Sequence, residues 1–212
     1  MQDIEVDRTT RRKGRTRRQL LDAVVSLVLD KGYEPVMIED ITESADVGRR
    51  TFYNHFVDKR DCVLSALKDR FSRYAQDMER DIADNGGDDE AQVVATMACR
   101  MFRAVATDPI TGALAQHPGL LNEAITESQR DFLLANLARG LAANRLQPAL
   151  PVESLEPVMA WGFVGLVLAS IARQSEREDS EVWARFVLNN LGIAEAEIDG
   201  LLEVARTSAV SR

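Results

Sequence analysis

From Lys59 to Asp84 an apolar residue returns every three or four positions: Leu64, Leu67, Phe71, Tyr74, Met78 and Ile82. That spacing puts all six on one face of a helix about 39 Å long. Thr16 to Lys31 repeats the pattern with Leu20, Leu21, Val24, Leu27 and Val28, and Gly32 supplies a stop. Further helices are predicted over 89–106, 121–145, 153–175 and 179–191, with a weaker one near 195–206. A short helix near 109–116 precedes the 121–145 segment. Breaks fall at Asp46-Val47-Gly48, Asn85 to Asp89, Asp108-Pro109, His117-Pro118-Gly119, Pro148 to Pro151 and Gly192. Short alternating β-branched runs are scarce and aromatics are only 6%, which excludes an all-β sandwich. The expected fold class is all-α.

Charge is divided unevenly. Residues 1–60 hold 12 Lys/Arg and 11 Asp/Glu, a net +1, which leaves 14 and 23, a net −9, for residues 61–212. Residues 8–18, RTTRRKGRTRR, carry seven basic side chains and no acid. Salt screens charges beyond roughly 8–10 Å, so a local basic patch attracts phosphate despite a chain total of −8. Taken alone, the patch reads equally as a phosphate-binding arm or as a solvated tail.

Several classes are excluded. Cys62 and Cys99 lack CxxC spacing, which argues against a disulfide scaffold or zinc site and suggests a reducing compartment. Residues 1–18 are charged throughout, so no signal peptide is read. The longest uncharged run, Pro157 to Ala172, has 16 residues where a spanning helix wants about 20. No membrane crossing, cofactor or metal is expected. No HExxH, GxSxG, P-loop or Rossmann fingerprint occurs, so no catalytic residue is assigned and an enzyme is not expected.

Residues 37–59 read MIEDITESADVGRRTFYNHFVDK. Ile38, Ile41 and Ala45 define a short amphipathic helix, residues 46–48 a turn, and residues 49–56 a second short helix. On a helical wheel Arg49, Arg50, Tyr53 and Asn54 share one broad face, while Phe52 and Phe56, four apart, lie on another. Two rings anchor the helix and its polar face is left outward. Arg can pair with guanine and Asn with adenine, and Tyr can bond phosphate. From the wheel alone, the same pattern also fits an ordinary corner of an α-domain.

The segment resembles the TetR family of transcriptional regulators. Gly32-Tyr33, Ile41, Ala45, Val47, Thr51-Phe52-Tyr53, His55-Phe56 and Lys59 carry the resemblance, over about 45 residues of the chain. It implies a flexible basic arm over 1–14, a three-helix helix-turn-helix DNA-binding domain over 15–60 and a helical ligand-binding and dimerisation domain over 61–212. It further implies that Thr51, Tyr53, His55 and Lys59 grip phosphate, that Arg49 and Arg50 stand where bases are contacted, and that Arg15, Thr16 and Arg17 meet the DNA backbone. Four positions depart from the family pattern. Met37 stands where Thr usually opens the second helix, Asp46 at a common Gly position, Gly48 at a usual Ser cap, and Arg50 at a common Gly.

In the larger part, PVMAWGFVGLVLASIA (Pro157 to Ala172) is apolar almost all round and should be buried on most sides. Gly162, Gly165 and Ala169 permit close helix approach. Val182, Trp183, Phe186 and Val187 give the 179–191 helix a second apolar face. The two helices suit a homodimer interface, or the core of one subunit. Candidates to line a ligand pocket are Met97, Met101, Phe102, Leu114, Phe132, Leu133, Trp161 and Phe163, although such residues at helical spacing also make plain core. His117 reads as a turn residue, and the two cysteines as small buried hydrophobes.

The expected function is a homodimeric, cytoplasmic transcriptional repressor released from a palindromic double-stranded DNA operator by a small apolar effector. The alternative is a small-molecule binding or assembly protein of the same fold that uses no operator.

Overall fold

The computed structural model describes the backbone of residues 2–85 and 89–208. The predicted break at 85–89 lies partly outside the described residues. Among the described residues there are ten helices and no strand. The chain divides into two compact units, one up to Asp69 and one from Arg70 onward. The division falls inside a helix, nine residues beyond the boundary the sequence suggests.

In the first unit, α1 (Gln2–Lys31) is longer than expected. The segment read as a flexible arm is helical from Gln2, for a local reason: no proline occurs before Pro35 and Gly14 is the only glycine before Gly32. Gly32 ends the helix with φ +79°, a conformation side chains disfavour. α2 (Ile38–Ser44) opens at Met37, which offers no side-chain cap. Instead the Asp40 carboxylate accepts from the Met37 N–H at 2.7 Å.

The turn to α3 (Arg49–Tyr53) closes in a left-handed cap. Asp46 takes φ +52°, its N–H donates to Glu43 O, and Val47 N–H donates to Thr42 O. This is a Schellman turn with Asp where glycine is usual. α3 is short, but Phe56 N–H still donates to Phe52 O, so its helical turn runs on to Phe56. Leu20, Val24, Val28, Val36, Ile41, Phe52, Phe56 and Cys62 form the buried core. α4 (Lys59–Asn85) starts beneath them, capped by the Asp58 carboxylate, which accepts from Asp61 N–H.

The second unit is built around α5 (Glu90–Ala106), buried along most of its length. α9 (Glu176–Asn190) and α10 (Glu195–Ser208) pack against it, with α8 (Val152–Arg173), α7 (Pro118–Ala142) and the short α6 (Pro109–Ala113) beside them. Proline sits in the first turn of α6 and of α7, where its missing N–H costs nothing. Gly140 is a packing glycine: a Cβ there would lie 2.3 Å from the Leu146 side chain. Arg145 ties the α7–α8 connection to Asp89 (2.6 Å) and to Glu197.

α4 is held within this unit by a buried carboxylate. Asp108, whose side chain is 1% exposed, caps α6 through Ile110 N–H, pairs with Arg70 and accepts from the Tyr74 hydroxyl at 2.5 Å. Burial and that carboxylate push the Tyr74 hydroxyl up to about 12, so it stays a donor.

α8 departs from its expected burial. Only a stripe is covered, including Phe163, Val164 and Val167, while Val158 is 59% and Trp161 53% exposed. On α9, Val182 is 55% and Phe186 40% exposed. α8 is long and apolar enough to span a membrane by length and composition, but only 28% of that window is buried within the chain.

Candidate nucleic-acid interface and ligand cavity

α3 is pinned from below. Phe52 is fully buried and Phe56 3% exposed, with ring centroids 5.7 Å apart. Phe52 meets Tyr53 edge to face at 5.5 Å, which sets the Tyr53 ring while leaving it 50% exposed. Arg49, Arg50, Tyr53 and Asn54 are all exposed, so the helix divides as its spacing requires.

The two arginines differ. Arg49 pairs with Glu39 of α2 at 2.7 Å, and hydrogen bonding to Tyr53, then Glu39, raises its pKa further. Arg50 is exposed and pairs with no described residue. A ligand of Arg49 must displace Glu39, whereas Arg50 stands ready to bond. No spacing rule joins Glu39 to Arg49, so the sequence reading missed this pairing.

Lys59 is also committed. Its ammonium donates to the carbonyls of Tyr33 (3.0 Å) and Glu34 (3.1 Å) and lies 4.2 Å from the Tyr33 ring centroid. Two of its three donors therefore clamp the start of α4 to the α1–α2 turn, which leaves one for a phosphate. Arg17 lays its guanidinium over the Phe56 ring, 5.3 Å from the centroid. Arg15 is exposed, while Thr16, Thr51 and His55 are half-buried. Burial, then Lys13 and Arg17, hold the His55 pKa below its ordinary value. Lys13 and Arg17 of α1 thus act on His55, just past the end of α3.

The second unit contains an apolar cavity of about 170 Å³. Of the eight residues expected at a pocket, Met97, Met101, Leu133 and Phe163 line it. Phe102 and Leu114 are fully buried outside the lining; Phe132 is half-buried on α7, and Trp161 is exposed. The first two fill the core, and Trp161 lies on the uncovered face of α8. Residues the sequence reading missed include Met78, Thr126, Gln129, Met159 and Trp183. Met78 belongs to the long α4 repeat, which marks a buried face without saying that it is hollow.

A second, polar cavity of about 320 Å³ lies beside Arg103, Arg177 and Arg206, with Glu176 and Glu181 among them. Arg206 and Glu181 pair at 2.6 Å, so its charges partly compensate. Cys99 on its wall is 2% exposed; burial pushes that thiol up to about 11 and the Cys62 thiol up to about 12. Neither forms thiolate near neutrality.

A short helix on two buried rings, reached by a left-handed turn from a preceding helix and attached to a separate helical unit, defines a helix-turn-helix protein with an added all-α module. Residues 20–66 match the family described as bacterial regulatory proteins, tetR family. An HTH-type transcriptional regulator, YwcC of Bacillus subtilis (strain 168), is 39% identical over 67 residues, covering 29% of this chain and 30% of that protein. The chain therefore spans less than a third of that relative's length. The fatty acid metabolism regulator protein of the same organism is 25% identical over 147 residues, covering 67% of this chain and 74% of the relative. Among solved structures, RolR in complex with resorcinol has a TM-score of 0.70 at 22% identity, covering 91% of this chain and 95% of that one. That likeness extends the shared fold over both units.

Proposed function

We propose that the chain is a sequence-specific DNA-binding regulator of transcription, a repressor that a small apolar ligand releases from a palindromic operator. DNA as its partner places it in the cytoplasm. The observation that carries this reading is the exposed face of Arg49, Arg50, Tyr53 and Asn54 above the buried Phe52–Phe56 pair. Residues 15–60 bind DNA, and residues 61–212 bind ligand and form the dimer. Arg50 reads a base, Arg49 a base after leaving Glu39, and Arg15, Thr16, Arg17, Thr51, Tyr53 and His55 the phosphates. Lys59 adds its third donor.

The exposed apolar residues of α8 and α9 support a homodimer. Two α3 helices must then stand about 34–36 Å apart, or a further helical turn, to enter successive major grooves. The ligand must bind more tightly to a dimer with a different separation, because only differential affinity shifts an equilibrium. α4 is the one helix with residues in both units, which makes it the lever.

Selection of bound DNA from a random pool tests the reading. The expected product is an inverted repeat, and a pool without enrichment overturns it. Arg50→Ala should lose about 1–3 kcal/mol on the preferred site and little on single-base variants at one position. An equal loss on every sequence makes Arg50 a phosphate contact. In sedimentation the particle should have twice the 23.6 kDa chain mass.

A further inference from the structure

Base contact by Arg49 leaves a carboxylate behind. Glu39, in the first turn of α2, holds the Arg49 guanidinium at 2.7 Å, and the two side chains are 52% and 60% exposed. Asp40, the other acid of that turn, is committed elsewhere: it accepts from Lys31 Nζ and from Met37 N–H, each at 2.7 Å. Of the two acids, Glu39 is the one presented beside the polar face of α3.

When Arg49 turns to a base, Glu39 loses this donor. A carboxylate without a donor beside phosphates is unfavourable, because it meets like charge and loses a hydrogen bond. The major groove offers it few replacements. Base edges there present donors only at the N4 amino group of cytosine and the N6 amino group of adenine. An ionised carboxylate accepts and does not donate, so the acceptors of guanine and thymine repel it. Adenine sets its N7 acceptor beside N6, where it opposes the second carboxylate oxygen. Cytosine presents N4 and no acceptor, which makes it the base that suits a carboxylate best. Arg50 is no substitute donor: it stands about 100° further round α3 and has a base of its own to contact.

We infer that Glu39 is a base-reading residue, accepting from the N4 amino group of a cytosine next to the base that Arg49 contacts. The inference rests on the reading of α3 as the recognition helix. Glu39 reaches the neighbouring base pair because its carboxylate touches the Arg49 guanidinium before either meets DNA.

The test is selection from a random DNA pool with wild type, Glu39→Gln, Glu39→Ala and Arg49→Ala. Affinities are then measured for the selected site, its single-base variants and random DNA. Wild type should enrich an inverted repeat with cytosine at one position of each half-site, and exchanging that base should weaken binding about five- to tenfold. Glu39→Ala should lose the preference at that position alone. It should bind random DNA at least as tightly as wild type, since a negative charge has left a surface that meets phosphate. Glu39→Gln should move the preference to adenine, because an amide donates to N7 while accepting from N6. Arg49→Ala should relax the adjacent position instead. Both Glu39 variants should melt close to wild type, as an exposed pair contributes little to stability.

Equal loss on every sequence, an A·T pair at the position that Glu39→Ala relaxes, or Glu39→Ala and Arg49→Ala relaxing one shared position overturns the inference; the last result makes Glu39 a support for Arg49. If wild type enriches no sequence, the recognition-helix reading fails and the inference with it. If wild type and both Glu39 variants enrich one repeat with identical preferences, α3 remains the recognition helix and the Glu39 contact alone fails.

Discussion

The two units put opposite chemistry on their surfaces. The amino-terminal unit hides its phenylalanine rings and shows charge: Phe52 and Phe56 are buried while Arg49 and Arg50 are exposed. Much of that charge is already held in place, Arg49 by Glu39, Lys59 by two carbonyls and Arg17 by the Phe56 ring. The larger unit leaves Val158, Trp161, Val182 and Phe186 in solvent, and it encloses an apolar hollow. A polar surface with fixed side chains suits a polyanion whose shape does not vary. An apolar surface needs a matching face, and a hollow needs a guest. The difference teaches that the first unit covers its phenylalanine rings itself, whereas the second leaves large apolar side chains of α8 and α9 uncovered.

Four measurements can break that comparison. Phe52→Ala removes the floor of α3 and should cost about 3–5 kcal/mol, with DNA retention lost; a melting curve like wild type would show that the ring does not organise the unit. Trp161→Glu should leave the helical signal intact and convert a dimer to a 23.6 kDa particle in sedimentation. Loss of a central aromatic anchor of an interface costs about 2 kcal/mol or more. An unchanged assembly state means that α8 is uncovered in solution.

Asp108→Ala should lower stability by about 2 kcal/mol, less than for a fully buried pair because Arg70 reaches solvent. A drop no larger than for an exposed carboxylate would mean that the α4 contact is slack.

The smallest effect concerns His55. Its depressed pKa means that the unfolded chain binds more protons as pH falls through about 6.5, so the residue lowers stability there, and the penalty grows until the folded-state pKa is passed. A phosphate beside the ring acts oppositely and raises its pKa, so DNA affinity should increase modestly over the same range. His55→Gln should flatten both pH dependences; if titrations of stability and binding are unchanged by the substitution, His55 titrates in neither.

Much of the fold was legible because helices announce themselves locally. The three-four repeat of α4 and the Gly32 stop of α1 follow from spacing and φ preference. The sharing of α3 between two buried rings and a polar face was legible for the same reason. Helix starts were less so: α1 begins at Gln2 because nothing interrupts it, although its charge suggested a loose arm. At the candidate site, the ties of Lys59 to Tyr33 and Glu34 join residues 26 and 25 positions apart, and no local rule selects them.

The cavity marks the boundary most clearly. Periodicity says which face of a helix is apolar, and it said so for Met97, Met101 and Phe102 alike. Only packing decides that the two methionines border empty space while Phe102 meets Phe163 at 5.7 Å and fills its share of the core. The sequence by itself determined the helices, the motif and the location of positive charge, because these depend on residues within a few turns of one another. The tertiary structure alone decided which charges are spent, which apolar faces lack cover and where side chains leave a void, because each of these depends on distances between atoms far apart along the chain.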